Sequence, residues 1–217
     1  ENLHELSSKN HNVKCDYCDS KLYDRKFDVI IAQNVLAHNR NPKKFLDDCE
    51  KLMHGESILY IQTSQAEMIM NNQFDTIYHE HLRYYSLTSL KYLFNKYGME
   101  IIDAKKINTH GGSIRVYAAR KKRFEIHKSV TKILNFEKKF LNWKTFINFK
   151  KNVVQSKLNL YSILKKLKNK NKKIYGIGAP SRASTLINYV GLDENIIDCV
   201  LEIEGSYKIG SYIPGKK

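Results

Sequence analysis

Apolar residues along this chain gather in two kinds of stretch, short unbroken runs and longer segments where they recur every three or four positions, and the two kinds alternate. Phe27 to Ala32, interrupted only by Asp28, is the kind of continuous run that a parallel sheet buries on both faces. Ser57 to Thr63, apolar at Ile58, Leu59 and Ile61, predicts the next strand. Between them Pro42 opens a helix to about Met53, with Phe45, Leu46, Cys49 and Leu52 at helical spacing. Ser86 is an N-cap for a helix through Tyr97 that carries Leu87, Leu90, Leu93 and Phe94, and Gly98 supplies its stop. Met99 to Ile107 and Ser113 to Ala119 read as two strands, and the short link between them predicts an antiparallel pair. Upstream, Glu1 to Asn10 has a short amphipathic pattern, Asn12 to Cys15 a brief strand pattern and Asp16 to Arg25 a polar helical turn.

The second half changes character. From Glu125 to Lys170 no Pro or Gly interrupts a helical pattern carrying Ile126, Val130, Ile133, Leu134, Phe140 and Trp143, then Val153, Leu158, Tyr161 and Leu164. Lys173 to Ile177 then reads as a strand entering a glycine turn at Gly176 and Gly178, followed by a helix from Ser181 to Tyr189 and a strand from Ile196 to Ile203. That is a βαβ unit, and glycines after its first strand would let phosphate approach the helix N-terminus. Three regions follow: an α/β unit over 1–122, a helical connector over 123–171 and a smaller α/β unit over 172–217.

Polar chemistry concentrates at Tyr78-His79-Glu80-His81, answered about thirty residues later by His110-Gly111-Gly112-Ser113. Two imidazoles, a carboxylate and a phenol in four consecutive positions are the residue types that proton transfer and oxyanion stabilisation require. Metal binding is not expected, since the text is not the helical H-E-x-x-H of a zinc protease. Gln33, Asn34 and His38 follow the first strand, at the carboxyl edge where open α/β sheets bind ligands.

Composition narrows the classes. With 217 residues and 42% apolar content the chain is globular, and no apolar run approaches the roughly 20 residues of a membrane span. The net charge of +15 comes from lysine dispersed among Asn and Ile rather than from an arginine-and-aromatic face, so nucleic acid is not the expected partner. It would attract an anionic small substrate. Cys15 and Cys18 form a C-x-x-C without the second pair that a zinc site needs, while Cys49 and Cys199 stand apart. Free thiols and the absence of a signal segment lead to an expected cytoplasmic location.

Four motifs in order, Ile31 to His38, Tyr78 to His81, Thr109 to Tyr117, and Gly176-Ile177-Gly178-Ala179 with Thr185 to Tyr189, resemble the sugar C-methyltransferases that act on nucleotide-linked keto-deoxysugars. The resemblance covers nearly the whole chain. It implies part of a class I methyltransferase (Rossmann-like) sheet, then a helical linker and a small C-terminal α/β domain. The implied cofactor is S-adenosylmethionine, with Asp16 and Tyr17 near its adenine and Gln33, Asn34 and His38 lining its site. Zinc is implied only for the family's N-terminal domain, which this chain lacks together with the Gly-rich cofactor loop.

The implied reaction removes a proton from carbon beside a ketone and methylates the enolate. His81 is then the base, Tyr78 and Glu80 position it or stabilise the enolate, and His110 is a second proton carrier. His79, Gly111, Gly112, Ser113, Gly176, Gly178, Arg182 and Asn188 are the expected substrate side. Arg182-Ala183 stands where the family usually has Lys-Gly. A monomer is expected, with no nucleic-acid or membrane partner. The competing readings are methyl transfer to oxygen or nitrogen of another small metabolite, and a fragment that binds a sugar nucleotide without turning it over.

Overall fold

The computed structural model describes residues 2–64, 66–108 and 112–216. A four-stranded sheet is built from β1 (Phe27–Gln33), β2 (Met53–Ser64), β3 (Met99–Ile107) and β4 (Ser113–Arg120), in the spatial order β1-β2-β4-β3. β1 and β2 are parallel, whereas β4 runs antiparallel to both its neighbours, so the last strand of the unit inserts between the second and third. The antiparallel β3 and β4 pair read from the sequence is present in that form.

Three helices cover one face. α1 (Asn2–Ser8) stands apart from them, α2 (Pro42–Leu52) links β1 to β2, α3 (Leu87–Asn95) precedes β3, and α4 (Lys128–Phe140) follows β4. Phe45, Leu46 and Cys49 of α2, Leu87, Leu90 and Phe94 of α3, and Val130 and Ile133 of α4 meet Leu59, Ile61, Ile114 and Val116 in one core. Burying such side chains contributes about 1.5–3 kcal/mol each. The strand pairing explains the selection: Ile30 lies opposite Leu59 and Ala32 opposite Ile61, on the helix-covered face.

The other face of β1 differs from the expectation of burial on both sides. Val29 and Ile31 are 55% and 67% exposed, because α2, α3 and α4 all pack against the opposite face. Farther along that open face Tyr60 and Tyr117 meet edge to face at 5.5 Å and Arg115 lies over Tyr60. No strand forms over Asn12 to Cys15, and the expected helical turn at 16–25 shrinks to a 3₁₀ turn at Ser20–Leu22.

The continuous helical pattern after residue 125 divides at Leu141 and Asn142, where Asn142 accepts from the Thr145 amide and caps α5 (Trp143–Lys168). α5 leads to the second unit, whose β5 (Tyr175–Ile177) and β6 (Cys199–Leu201) are parallel and joined through α6 (Ser181–Val190). Ile187, Val190, Leu192 and Ile196 form its core, with Leu160 and Leu164 of α5 packed against them.

One buried carboxylate ties α4 to α3. Glu137, 3% exposed, accepts from the amides of Leu87 and Thr88 at 2.6 and 2.8 Å and from the Thr88 hydroxyl at 2.7 Å. These amides belong to the first turn of α3, which has no intrahelical acceptors and carries partial positive charge. Glu137→Ala is expected to destabilise the chain by about 2–4 kcal/mol, since three donors lose a charged acceptor in a buried place. Urea unfolding should show a lower midpoint at unchanged slope. A loss below about 0.5 kcal/mol would contradict this role for the carboxylate.

Candidate active site

The site forms where two loops meet at the carboxyl end of β1. Asn34 leaves the strand at φ 55°, a left-handed conformation that Asn tolerates better than most residues, and its amide donates to the Gln62 carbonyl at 2.8 Å. The turn that follows brings the His38 amide to the Val35 carbonyl. The second loop is stapled onto it: the Leu82 amide donates to the Ala37 carbonyl at 3.0 Å, and Arg83 donates to the carbonyls of Asn39 and Arg40. Leu36 and Ala37, both buried, anchor the first loop to the core side.

Those staples bring His38, Tyr78, His81 and Tyr84 together. The His81 ring lies 4.4 Å from Tyr78, 4.9 Å from His38 and 5.9 Å from Tyr84, centroid to centroid. Its Nδ1 is 3.1 Å from the Thr76 carbonyl oxygen, and its Nε2 is 3.2 Å from the Tyr78 hydroxyl. A carbonyl only accepts, so Nδ1 carries the proton and Nε2 of the neutral ring is the bare nitrogen. The Tyr78 hydroxyl then donates to Nε2. Thr76 also accepts from the Tyr84 hydroxyl at 2.7 Å, so one backbone oxygen orients two side chains of the cluster.

Burial sets the electrostatics. It is the largest influence on His81 and pulls the imidazole below its ordinary 6.5, with the Thr76 bond and the Glu80 charge opposing and His38 adding to the depression. Burial likewise raises Tyr78, with Glu80 adding to it, and pushes Tyr84 up to about 12. At neutral pH His81 is therefore a neutral imidazole beside two protonated phenols: an unprotonated Nε2 whose lone pair accepts from the Tyr78 hydroxyl.

The predicted site residues divide in the structure. Tyr78 and His81 meet as expected. His38, expected beside a cofactor, meets His81 edge to face. Glu80 does not hold His81; its carboxylate is half exposed and faces His79 at 3.8 Å. Asp16 and Tyr17 make local contacts only, the Tyr17 amide to Asp16, and the Tyr17 ring is 89% exposed. Gln33 is exposed and Asn34 half-buried at the edge of β1, Gly112 adopts φ 120°, and Ser113 is buried at the start of β4. His110 and Gly111 lie outside the described residues. Sequence reasoning missed Tyr84 and the Thr76 carbonyl as members; Tyr84 stood in the polar text following His81, but only folding shows that its hydroxyl turns back.

The residues expected to hold substrate in the second unit have other partners. A Cβ on Gly176 would come within 3.0 Å of Val200 Cγ2, so this glycine serves strand packing. Gly178 is left-handed at φ 78° and its amide donates to the Leu201 carbonyl. The Ala179 amide faces the Glu202 carboxylate at 3.4 Å, and Lys208 bridges Glu202 and the Ala179 carbonyl, so the glycine turn already faces an anion from its own chain. Arg182 pairs with Asp75, and the Asn188 amide donates to the carbonyls of Ser184 and Pro214. Beside them lies a cavity of about 830 Å³, walled by Pro180, Ser181 and Ser184 of the α6 end, by the 199–214 segment, and at its rim by His79.

Cys18 hydrogen-bonds to Cys49 of α2, which lowers its thiol to about 7; the same bond raises Cys49. Among the described residues no group of three or more His, Cys, Asp or Glu is arranged to hold a metal ion, and no helix is long and apolar enough to cross a membrane.

The His81 geometry gives a direct expectation. Nitrogen-resolved NMR should find the neutral ring protonated on Nδ1 and a titration midpoint below 6.5. Because the folded value is depressed, the unfolded chain takes up the proton first as pH falls, so this residue costs stability below about 6.5 and nothing above it. A midpoint at or above 6.5, or an Nε2-protonated ring, would contradict the assignment.

Comparison with known proteins places the chain. Residues 3–104 match a family described as "Methyltransferase domain". Over 194 residues the chain is 28% identical to the C-methyltransferase NovU of Streptomyces niveus, which covers 86% of this chain and 46% of that protein. The chain thus spans about half the length of that relative. Among solved structures it overlaps the magnesium protoporphyrin IX methyltransferase ChlM of Synechocystis PCC 6803 with bound SAH, at 14% identity and a TM-score of 0.38 over 48% of this chain and 49% of that one. It also overlaps the B. subtilis M1A22 tRNA methyltransferase TrmK, at 13% identity and a TM-score of 0.29 over 76% and 58%. Residues 108–217, just over half of the chain, match the family described as "C-methyltransferase C-terminal domain", and to that C-methyltransferase family the protein belongs.

Proposed function

We propose that this chain is the part of an S-adenosylmethionine-dependent enzyme that methylates carbon, by way of an enolate, on a nucleotide-linked keto-deoxysugar. One observation carries the reading: His81 Nε2 is held bare, in a neutral ring, against the Tyr78 hydroxyl. Methylating carbon beside a ketone requires a base for a C–H proton and a donor for the oxygen that becomes negative. Methylating an alcohol or amine makes no such demand for an enolate.

The residues divide the work accordingly. His81 Nε2 takes the proton from the carbon beside the carbonyl, and the C–H electron pair moves into the enolate. For this the Tyr78 hydroxyl turns from Nε2 to the substrate's carbonyl oxygen, which frees the Nε2 lone pair for the proton and leaves the hydroxyl donating to that oxygen as the enolate forms. Its burial-raised pKa keeps it a donor at neutral pH. Thr76 holds the imidazolium through Nδ1. His38, at 4.9 Å, is placed to accept or pass a proton but does not share a hydrogen bond with His81 in this arrangement.

Gln33 and Asn34 offer amide groups at the open carboxyl edge of β1, and Val35 beside them is 40% exposed. Polar amides next to an accessible apolar side chain fit one edge of an adenosine-bearing cofactor. When bound, S-adenosylmethionine supplies an electrophilic methyl group on sulfur. The cavity of about 830 Å³, within the range of small-ligand pockets, gives the nucleotide end of the acceptor a place beside His79, and the net charge of +15 favours an anionic acceptor.

The test uses a full-length protein containing this chain, supplied with S-adenosylmethionine and a nucleotide-linked 4-keto-6-deoxysugar. Proton and carbon NMR should locate the new methyl on ring carbon; a methyl on oxygen or nitrogen would sink the reading. His81→Ala is expected to lower kcat by about 10²–10⁴-fold while cofactor affinity by calorimetry stays within about threefold. Tyr78→Phe should cost about 10²–10³-fold in kcat, the scale of one lost oxyanion donor.

A further inference from the structure

The second unit does not merely follow the active site in sequence; it grips the turn on which His81 depends. The 3₁₀ turn Phe74–Thr76 and residue Ile77 lie against α6. The rings of Phe74 and Tyr189 approach to 5.0 Å. Arg182 donates from Nε at 3.0 Å to Asp75 Oδ2, with Nη2 2.8 Å from the same oxygen, in a pair about three-quarters shielded on the Asp75 side. The Thr185 hydroxyl donates to the Ile77 carbonyl at 3.0 Å. Residues 182, 185 and 189 recur at i, i+3 and i+7, one face of the helix, and they hold residues 75, 77 and 74. Those three surround Thr76, the residue whose carbonyl orients His81 and Tyr84.

We propose that Arg182, Asp75 and Thr185 are positioning residues for the base, and that the C-terminal unit sets the placement of His81 through the Thr76 carbonyl. The proposal rests on His81 being the base, as read above. A peptide plane is rigid, so fixing Asp75 on one side of Thr76 and the Ile77 carbonyl on the other fixes the direction of the oxygen between them. Within the first unit the turn is held by bonds that span eight residues or fewer: the Thr76 amide and hydroxyl to the Gln73 carbonyl, the Thr76 hydroxyl to the Met68 sulfur, the Ile77 amide to Phe74 and the Tyr78 amide to the Thr76 carbonyl itself. The guanidinium is also close enough to bear on both Tyr78 and His81, lowering each, so it acts in the same direction as burial on the imidazole. Asp75 supplies the opposing charge that keeps Arg182 from facing the ring as an uncompensated cation.

The consequence concerns the role of the domain contact. Reaching the reacting carbon requires His81 to be placed within a fraction of an ångström, and a misplacement near 1 Å costs about 10²-fold in rate. A contact more than 100 residues away in sequence therefore acts on the chemical step and not on affinity.

The experiment uses the full-length protein with S-adenosylmethionine and the keto-sugar nucleotide, and reads His81 separately by nitrogen-resolved NMR. Arg182→Gln and Asp75→Asn should each lower kcat by about tenfold to a hundredfold with KM for either substrate within about threefold, and the NMR should show loss of the single Nδ1-protonated form of His81. Thr185→Val, a mild change at a half-buried site, should lower kcat by about threefold and keeps the question open to test where the ion-pair variants fold poorly. The exchanged pair Asp75→Arg with Arg182→Asp should recover most of the lost kcat. Unchanged His81 spectra in the single variants, or losses confined to KM for the acceptor, would overturn the proposal and make Arg182 a direct substrate contact. An exchanged pair as impaired as either single variant would also overturn it. The NMR readout needs no turnover, so it stands even where methyl is found on another atom and the reading of the reaction fails.

Discussion

The carbonyl oxygen of Thr76 is the point on which this site depends. Two side chains of different chemistry, the His81 imidazole and the Tyr84 phenol, donate to it, and the direction of that one oxygen decides which ring nitrogen of His81 is bare. A backbone acceptor is well suited to the task because it cannot donate and cannot titrate. A side-chain carboxylate in its place would hold the ring equally well but would raise its pKa and favour the charged form. The Thr76 carbonyl also favours the charged ring, but burial outweighs it.

Around that oxygen the molecule arranges three supports. The sheet provides the edge of β1, from which the loop carrying His38 departs. Leu82 and Arg83 staple the second loop to the first through backbone carbonyls at 37, 39 and 40. α6 holds the turn from the far side through an ion pair, a hydroxyl and a ring contact. The rigid parts are buried deeply in the core beneath, whereas the groups that would meet a substrate sit half-buried at the junction. That distribution is what a site needs: precise placement without closure to solvent.

Charge is used sparingly within this arrangement. The chain is strongly basic, but His81, Tyr78 and Tyr84 are biased toward their neutral forms, and Glu80 and His79 of the same motif face each other at the surface. Burial is what disfavours the charged form of His81. In the second unit the acceptors are likewise internal, since Glu202 sits at the glycine turn where a phosphate was expected, held by Lys208. A ligand there would meet the cavity wall beside the turn rather than the turn's own amides.

Much of the fold was legible before folding. The periodic apolar positions of α2 and α3, the Ser86 cap, the antiparallel β3 and β4, and the β5-α6-β6 unit are local properties of the text, and they appear within a residue or two of where the pattern put them, except that the strand expected over Ile196 to Ile203 narrows to Cys199–Leu201. Membership of Tyr78 and His81 in one site was also legible, since residues three apart on a turn can meet. Other features could not be read because they depend on which loop faces which. His38 joins His81 from 43 positions upstream, Glu137 caps a helix 50 positions away, and Arg182 pairs with Asp75 across 107 positions. The sequence by itself determined the elements and the chemical types available, because periodicity and capping act over a few residues. Only the tertiary structure decided which nitrogen is bare, which carboxylate faces away from His81 and which arginine is already paired, because those depend on distances between segments that the chain order does not set.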